Sequence, residues 1–233
     1  MTTPLSLLSG RVWIYPGDPD PAAVKPCVAV VADEAGSTVV DAGQSPAHAR
    51  LVQAAIAEAG LPAARRVVFT HHHWDHTWGA CAWELDEIVG HEAGAALLTA
   101  EAALPWSEAY LREETAANPL LERSFTARAR AVDDWAEFAV RPPTRTFADR
   151  LELPGGIEVQ HVGGRHAPDS TVVGVPDSGV MLLGDSIYPP PYHLREPGPA
   201  GEEIDLPLVT ALVAEGFDWY VDSHSEPWRP PSS

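Results

Sequence analysis

The stretch "VVFTHHHWDHTWG" (residues 67–79) places four of the chain's ten histidines directly behind a short apolar run. "RRVVFT" (65–70) has the β-branched, uninterrupted character of a strand buried on both faces. His71, His73, Asp75 and His76 therefore fall in the turn that leaves the end of that strand. Residues two apart in such a turn can converge on one point, and imidazole and carboxylate are ligands suited to Zn²⁺ and similar ions. The His-x-His-x-Asp-His spacing offers two ligands to one metal and two to another. A purification-tag remnant sits at a terminus and does not follow a buried strand. A solvated polar loop accounts for a lone histidine, but not for four ligand-type residues at this spacing. In an extended segment His72 points away from its neighbours, so a structural or solvent-facing role is expected for it.

Upstream, "CVAVVADE" (27–34) and "STVVDAGQ" (37–44) are β-branched runs around Gly36 and read as a hairpin. "SPAHARLVQAAIAEAG" (45–60) reads as a helix, with Ser45 as N-cap, Pro46 at the first helical position, Leu51, Ala55 and Ile56 on one face, and Gly60 as its stop. Strand, strand, helix, strand is an α/β pattern. From about 81 to 150 the pattern turns helical, with "EAGAALLTAEAAL" (92–104) and "ERSFTARARAVDDWAEFAV" (122–140) as the main candidates, closed by "RPPTRT" (141–146). Short strands return in "LELPGGIEVQHV" (151–162) and in "STVVGVPDSGVMLLGD" (170–185), which turns at Pro176–Gly179. "IDLPLVTALVAEGF" (204–217) is helical, and "DWYVDSH" (218–224) is a last strand. "YPPPYHLREPGPAGEE" (188–203) is a proline-rich surface loop and "EPWRPPSS" (226–233) an extended tail. No internal repeat and no linker interrupts the chain.

A length of 233 residues with 45% hydrophobic content supports a sizeable core. The formal charge of -18, with Lys25 the single lysine, argues against nucleic-acid or anionic-membrane partners, which need clustered cations. Two cysteines, Cys27 and Cys81, do not make a disulfide framework. "MTTPLSLLSG" lacks a basic n-region and no apolar run approaches the roughly 20 residues that span a bilayer, so a soluble, cytoplasmic protein is expected.

The motif "THHHWDH" (70–76) resembles the signature of the metallo-β-lactamase superfamily, and the likeness runs from about residue 28 to residue 224. "GGRHAPDSTVV" (163–173) is similar to the family's second histidine motif, with His166 in the ligand place. Arg165 stands where the family usually has glycine, which leaves His161 as an alternative ligand. "VMLLGDSIY" (180–188) is similar to the Gly-Asp motif that ends a strand, and "YVDSHSEP" (220–227) supplies a last histidine, His224. The resemblance implies a four-layer αββα sandwich of two mixed β-sheets flanked by helices, formed by residues 1–233 as one domain with a helical insertion at about 95–145. It implies that His71, His73 and His166 hold one metal, that Asp75, His76 and His224 hold another, and that Asp185 bridges the two. Asp41 in "VVDAGQ" matches the family's strand-end Asp-x-Gly, a carboxylate that can accept a hydrogen bond from a metal-binding imidazole.

Two divalent cations, most simply zinc with iron or manganese as alternatives, would then share a hydroxide that needs no serine or cysteine nucleophile. Asp75 and Asp185 are the carboxylates nearest that chemistry. The implied activity is hydrolysis of a small ester, thioester, lactone or phosphodiester. True β-lactam hydrolases of the family carry a cysteine, or no bridging carboxylate, where this chain has Asp185, which disfavours a β-lactam substrate. An iron-dependent oxidoreductase resembling persulfide dioxygenases is the other alternative. Trp74, Tyr188, Tyr192, His193, Arg195 and Trp228 are candidate residues for lining a substrate pocket between the helical region and the loop after Asp185. A small molecule, rather than nucleic acid or membrane, is the expected partner.

Overall fold

A computed structural model describes residues 4–195, 198 and 203–231. Short runs of Val, Ile and Leu supply nearly all of its strands, because β-branched side chains fit a pleated surface that is covered on both sides. β1 (Ser6–Ser9), β2 (Val12–Tyr15), β3 (Val28–Val31), β4 (Ser37–Val40), β5 (Ala64–Val68), β6 (Glu87–His91) and β7 (Arg145–Phe147) form one sheet in that spatial order. Its first four strands are antiparallel and β4 to β7 are parallel. The second sheet takes β8 (Arg150–Leu153), β9 (Ile157–His161), β10 (Thr171–Val175), β11 (Val180–Gly184) and β12 (Trp219–Asp222), in the order β12-β11-β10-β9-β8. There β11 and β12 run parallel and the other pairs antiparallel.

Alternate residues of each strand take opposite faces. Val12, Ile14, Val31, Val40, Val68 and Val89 of the first sheet meet Val159, Val173, Val175, Leu182 and Val221 of the second in a core between the sheets. The other face of the first sheet, including Val30, Val39 and Val67, is covered by α1 (Pro46–Glu58), α3 (Glu92–Ala102) and α5 (Glu122–Ala131). Val172, Met181, Leu183 and Tyr220 on the outer face of the second sheet pack under α6 (Leu206–Val213). Each fully buried Val or Leu contributes roughly 1.5–3 kcal/mol over its exposed state, so the seam between the sheets is a principal source of stability. This is the expected αββα sandwich. Among the described residues no helix is long and apolar enough to cross a membrane.

α1 forms as its sequence suggests. The Ser45 side chain accepts from the His48 N–H at 3.2 Å, Pro46 occupies the first turn, and Gly60 follows with φ +68°. Its buried stripe is Ala49, Val52, Ala55 and Ile56, so Ala55 and Ile56 lie on the expected face, whereas Leu51 is 40% exposed and Val52 is buried in its stead. The helical reading of 81–150 is corrected more substantially. It contains the parallel strands β6 and β7, with α3, α4 (Glu108–Ala117) and α5 between them. "VDDWAEFAV" (132–140) is not helical, although Val132, Trp135, Phe138 and Val140 all pack into the core. Apolar spacing produced by tertiary burial imitated a helical period. The hairpin β1–β2 was not expected, and the tail is tied down by a bridge between Trp228 and Tyr220.

Candidate metal centre

The first four ligand-type residues are set by how the chain leaves β5. Thr70 lies two residues past the end of β5, and its N–H and hydroxyl donate to the Asp41 carboxylate at 2.8 and 2.9 Å. Asp41 adopts φ +66°, a left-handed conformation that Asp tolerates better than most residues, and these bonds hold it there. Its Oδ2 also accepts from His76 Nδ1 at 2.7 Å, which leaves His76 Nε2 facing inward. The short helix α2 (Trp74–Thr77) turns Asp75 and His76 back over His71 and His73. Close backbone contact locks this turn to the Asp41 loop: Gly79 N–H donates to Gly43 O at 2.8 Å, and a Cβ on Gly79 would lie 2.1 Å from Ala42 O.

The second sheet delivers the remaining ligand-type residues. His166 Nδ1 donates to Pro189 O at 2.9 Å, so its Nε2 points at His71 Nε2 and His73 Nδ1, 3.2 and 3.0 Å away. Gly184 ends β11 with φ +56°, and a Cβ there would come 2.5 Å from Thr70 Cβ. Only glycine lets the strand turn Asp185 into the gap between the sheets. His224 follows β12, where Asp222 accepts from the N–H groups of His224 at 3.2 Å and Ser225 at 2.9 Å.

These turns assemble two groups, His71 with His73 and His166, and Asp75 with His76, Asp185 and His224, each with its ligand atoms within 4.8 Å of one another. Asp185 Oδ2 stands between the groups, 3.5 Å from His166 Nε2 on one side and 3.5 and 3.4 Å from His76 Nε2 and His224 Nε2 on the other.

The sequence profile described as the metallo-beta-lactamase superfamily matches residues 24–226. This chain belongs to that superfamily. Its fold resembles solved metallo-β-lactamases: one from Hirschia baltica at 17% identity and TM-score 0.63, covering 97% of this chain and 93% of that one. A second, from Pontibacter korlensis, is 17% identical with TM-score 0.59, covering 97% and 92%. A third, FIM-1 from Pseudomonas aeruginosa in a mono-zinc form, is 14% identical with TM-score 0.61, covering 97% and 90%. At such identities the likeness is one of fold. No curated protein sequence matches the chain.

The two groups fit a divalent cation on the chemistry of their own donors. Burial, reinforced by neighbouring imidazoles, pushes His71 and His73 well below the usual histidine range, so both present neutral lone pairs. His76 Nε2 and Asp185 Oδ1 are buried without a hydrogen-bond partner among the described residues. Buried polar atoms are rarely left so, and a bound ion is one of the recognised reasons. In the second group burial opposes charge, but the carboxylates and imidazoles overcome it together. Asp75 and Asp185 are held below the usual carboxylate range, chiefly by His76 and His224. His76 is held well above the histidine range by Asp75, Asp41 and Asp185, and His224 is held up at about 10 by Asp185 and Asp75.

The structure thus brings together all seven residues named as metal ligands and places Asp41 behind one of them. His72 lies outside both groups and pairs with Asp169 at 2.7 Å. His161 is corrected as an alternative ligand, since it stacks on His91 with ring centroids 3.7 Å apart and hydrogen-bonds Pro168 O at 2.9 Å. Arg165 is exposed and reaches Glu203 O at 3.4 Å, leaving His166 in the cluster.

Above the cluster opens a cavity of about 600 Å³ whose wall includes Trp74, Tyr188, His193 and Arg195. The Tyr192 side chain lies outside the described residues. Trp228 is corrected: it stacks on Tyr220 at 4.9 Å and is absent from the wall. Asp222 and Arg128 were not expected. Asp222 also accepts from the Tyr188 hydroxyl at 2.6 Å and so anchors both Tyr188 and the turn bearing His224. A carboxylate two residues before a ligand histidine was the available signal for it.

Proposed function

We propose that this chain is a dinuclear, zinc-dependent hydrolase of a small ester, thioester, lactone or phosphodiester, and that residues 1–233 form one domain with the helical segment as an insertion. Superfamily membership and the two His/Asp groups support a metal-dependent, hydrolase-type function. The observation that carries the dinuclear reading is Asp185 Oδ2, within 3.5 Å of ligand atoms in both groups. His71, His73 and His166 would hold one cation, and Asp75, His76 and His224 the other, with Asp185 shared. Bound divalent cations would supply a nucleophile at neutral pH by lowering the pKa of water towards about 7, and an electrophile for the substrate oxygen.

The chain's own groups do the rest. Asp41 fixes the His76 proton on Nδ1 and Pro189 O fixes the His166 proton on Nδ1, so each ring presents its other nitrogen. Asp75 lines the cavity as a member of the second group, so its carboxylate would hold the cation on the side the substrate approaches. Trp74 and Tyr188 contribute apolar ring surface to the cavity wall beside the cluster.

Metal analysis joined to a substrate panel tests this. The purified protein is assayed for zinc, iron and manganese, and for cleavage of an ester, a thioester, a lactone, a phosphodiester and a β-lactam, in air and under argon. Two zinc equivalents with oxygen-independent cleavage of one of the first four are expected. A single iron with oxygen consumption would reassign the chain to the oxidoreductases, and turnover of the β-lactam alone would make it a β-lactamase.

A further inference from the structure

Helix α5 carries Arg128 into the cavity wall, and the guanidinium sits in an aromatic box. Its Cζ lies 4.9 Å from the ring centroids of both Trp78 and Phe125, 5.3 Å from Trp106 and 5.6 Å from Trp74. Aromatic faces favour a cation but accept none of its five N–H donors in plane. Arg128 Nε is buried without a hydrogen-bond partner, and no ion pair of the described residues includes Arg128. The acid whose charge bears on it most, Glu101, turns Oε1 to the Trp78 indole N–H at 2.9 Å. A buried donor left without an acceptor is costly, and the rest of the half-buried guanidinium has no protein acceptor among the described residues. The deficit is made good when a ligand brings the acceptor.

The surrounding charge points the same way. The chain carries a formal charge of -18, yet its only lysine, Lys25, and three arginines, Arg123, Arg128 and Arg195, line this one cavity. Asp18 and Asp20 stand on the Lys25 side of the wall, while Arg128 reaches in from the helical segment above Trp74. The cavity, at about 600 Å³, has room for a second functional group beyond the one over the ligand cluster. A planar guanidinium suits a carboxylate or phosphate, which it can grip with two parallel N–H donors.

We infer that Arg128 receives a second anionic group of the substrate, a carboxylate or a phosphate away from the bond that is cleaved, so that this site takes anionic esters or thioesters in preference to neutral ones. The inference rests on the hydrolase reading and is tested so that the two can fail separately. The metal-loaded protein is assayed with the 4-nitrophenyl monoester of glutaric acid and with 4-nitrophenyl pentanoate, its uncharged counterpart.

The wild type is expected to favour the glutarate ester in kcat/KM by about tenfold or more, the range of one charge-assisted hydrogen bond. Arg128→Met keeps an unbranched chain among the rings and removes the charge; the preference should collapse, through KM for the glutarate ester. Arg128→Lys should restore part of it. A wild type without that preference, or an Arg128→Met variant that retains it, overturns the assignment and leaves Arg128 a packing residue.

If neither ester is cleaved, the hydrolase reading has failed on this chemistry, and calorimetric binding of glutarate decides the role of Arg128. Affinity at least tenfold weaker in Arg128→Met supports the anion site, and equal affinity or no binding refutes it. Should Arg128→Met not fold, Arg128→Gln is assayed in its place: a collapsed preference for the glutarate ester supports the assignment, and a retained one overturns it.

Discussion

The floor and the wall of the cavity are built on different principles. The floor takes its ligand-type residues from the ends of β5, β11 and β12 and from the turn after β9, each braced by backbone bonds and by carboxylates such as Asp41 and Asp222. The wall is assembled from the 18–25 loop, helix α5 and the proline-rich segment after Asp185, which meet only in the folded chain. On the proposed function the same division would hold, with the floor fixing the chemistry and the wall selecting what reaches it.

Asp185→Asn strikes the floor and should have the largest effect. The amide keeps the shape and removes the charge shared by both groups, so kcat should fall roughly 100-fold or more, because metal-centred stabilisation is worth several kcal/mol and each ~1.4 kcal/mol is tenfold. Far-UV circular dichroism should be little altered. Normal turnover of a confirmed substrate by this variant would remove Asp185 from between the groups.

Asp41→Asn acts one layer further out. Asn tolerates the left-handed backbone, but it lacks the charge that holds the His76 proton, and metal affinity should weaken about 10- to 100-fold. Competition with a chromophoric chelator measures this, and an unchanged affinity would reduce Asp41 to a turn residue.

The smallest effect on activity is expected beneath the floor, at His48, whose role is read in stability. Its Nδ1 accepts from Gln44 N–H at 3.3 Å beside the Asp41 loop, and burial lowers its pKa from 6.5 to about 3. The unfolded imidazole takes up a proton near pH 6.5 while the folded one resists it, so His48 contributes stability above pH 6.5 that is lost as pH falls towards 3. Its share of the slope is at most about 1.4 kcal/mol per pH unit. Melting curves of wild type and His48→Gln between pH 7 and 4 should converge on acidification, and parallel curves would show that His48 is not buried neutral.

The same contrast explains what the sequence made legible. Ligands at strand ends leave local signatures, because a strand followed by a turn fixes where each side chain points, and His71, His73, Asp75 and His76 could be read from thirteen residues. His166, Asp185 and His224 needed the family resemblance to join them to that motif. The wall leaves no local signature. Arg128 sits in "ERSFTARARAV" like any arginine on an amphipathic helix, and only tertiary contact adds three indole rings to the Phe125 ring one turn before it. β6 was hidden for a related reason: Gly90 weakens its strand pattern, yet that glycine is where Pro143 presses in, 2.6 Å from a notional Cβ. Trp228 was misplaced because a tryptophan in a proline-rich tail gives no sign that Tyr220 will stack on it.

Thr70 has a mechanical consequence. Its N–H and hydroxyl are tied to Asp41 in the first sheet, its carbonyl accepts from Thr171 N–H of the second at 2.8 Å, and its side chain sits against Gly184. The sandwich is therefore riveted at the rim where the ligands gather. Cations held there would together cross-link four distant stretches of chain, and their binding energy would be added to the folded state alone. Loading the site would stiffen the whole β-sandwich, and stripping it would loosen one sheet against the other before any catalytic step was at issue.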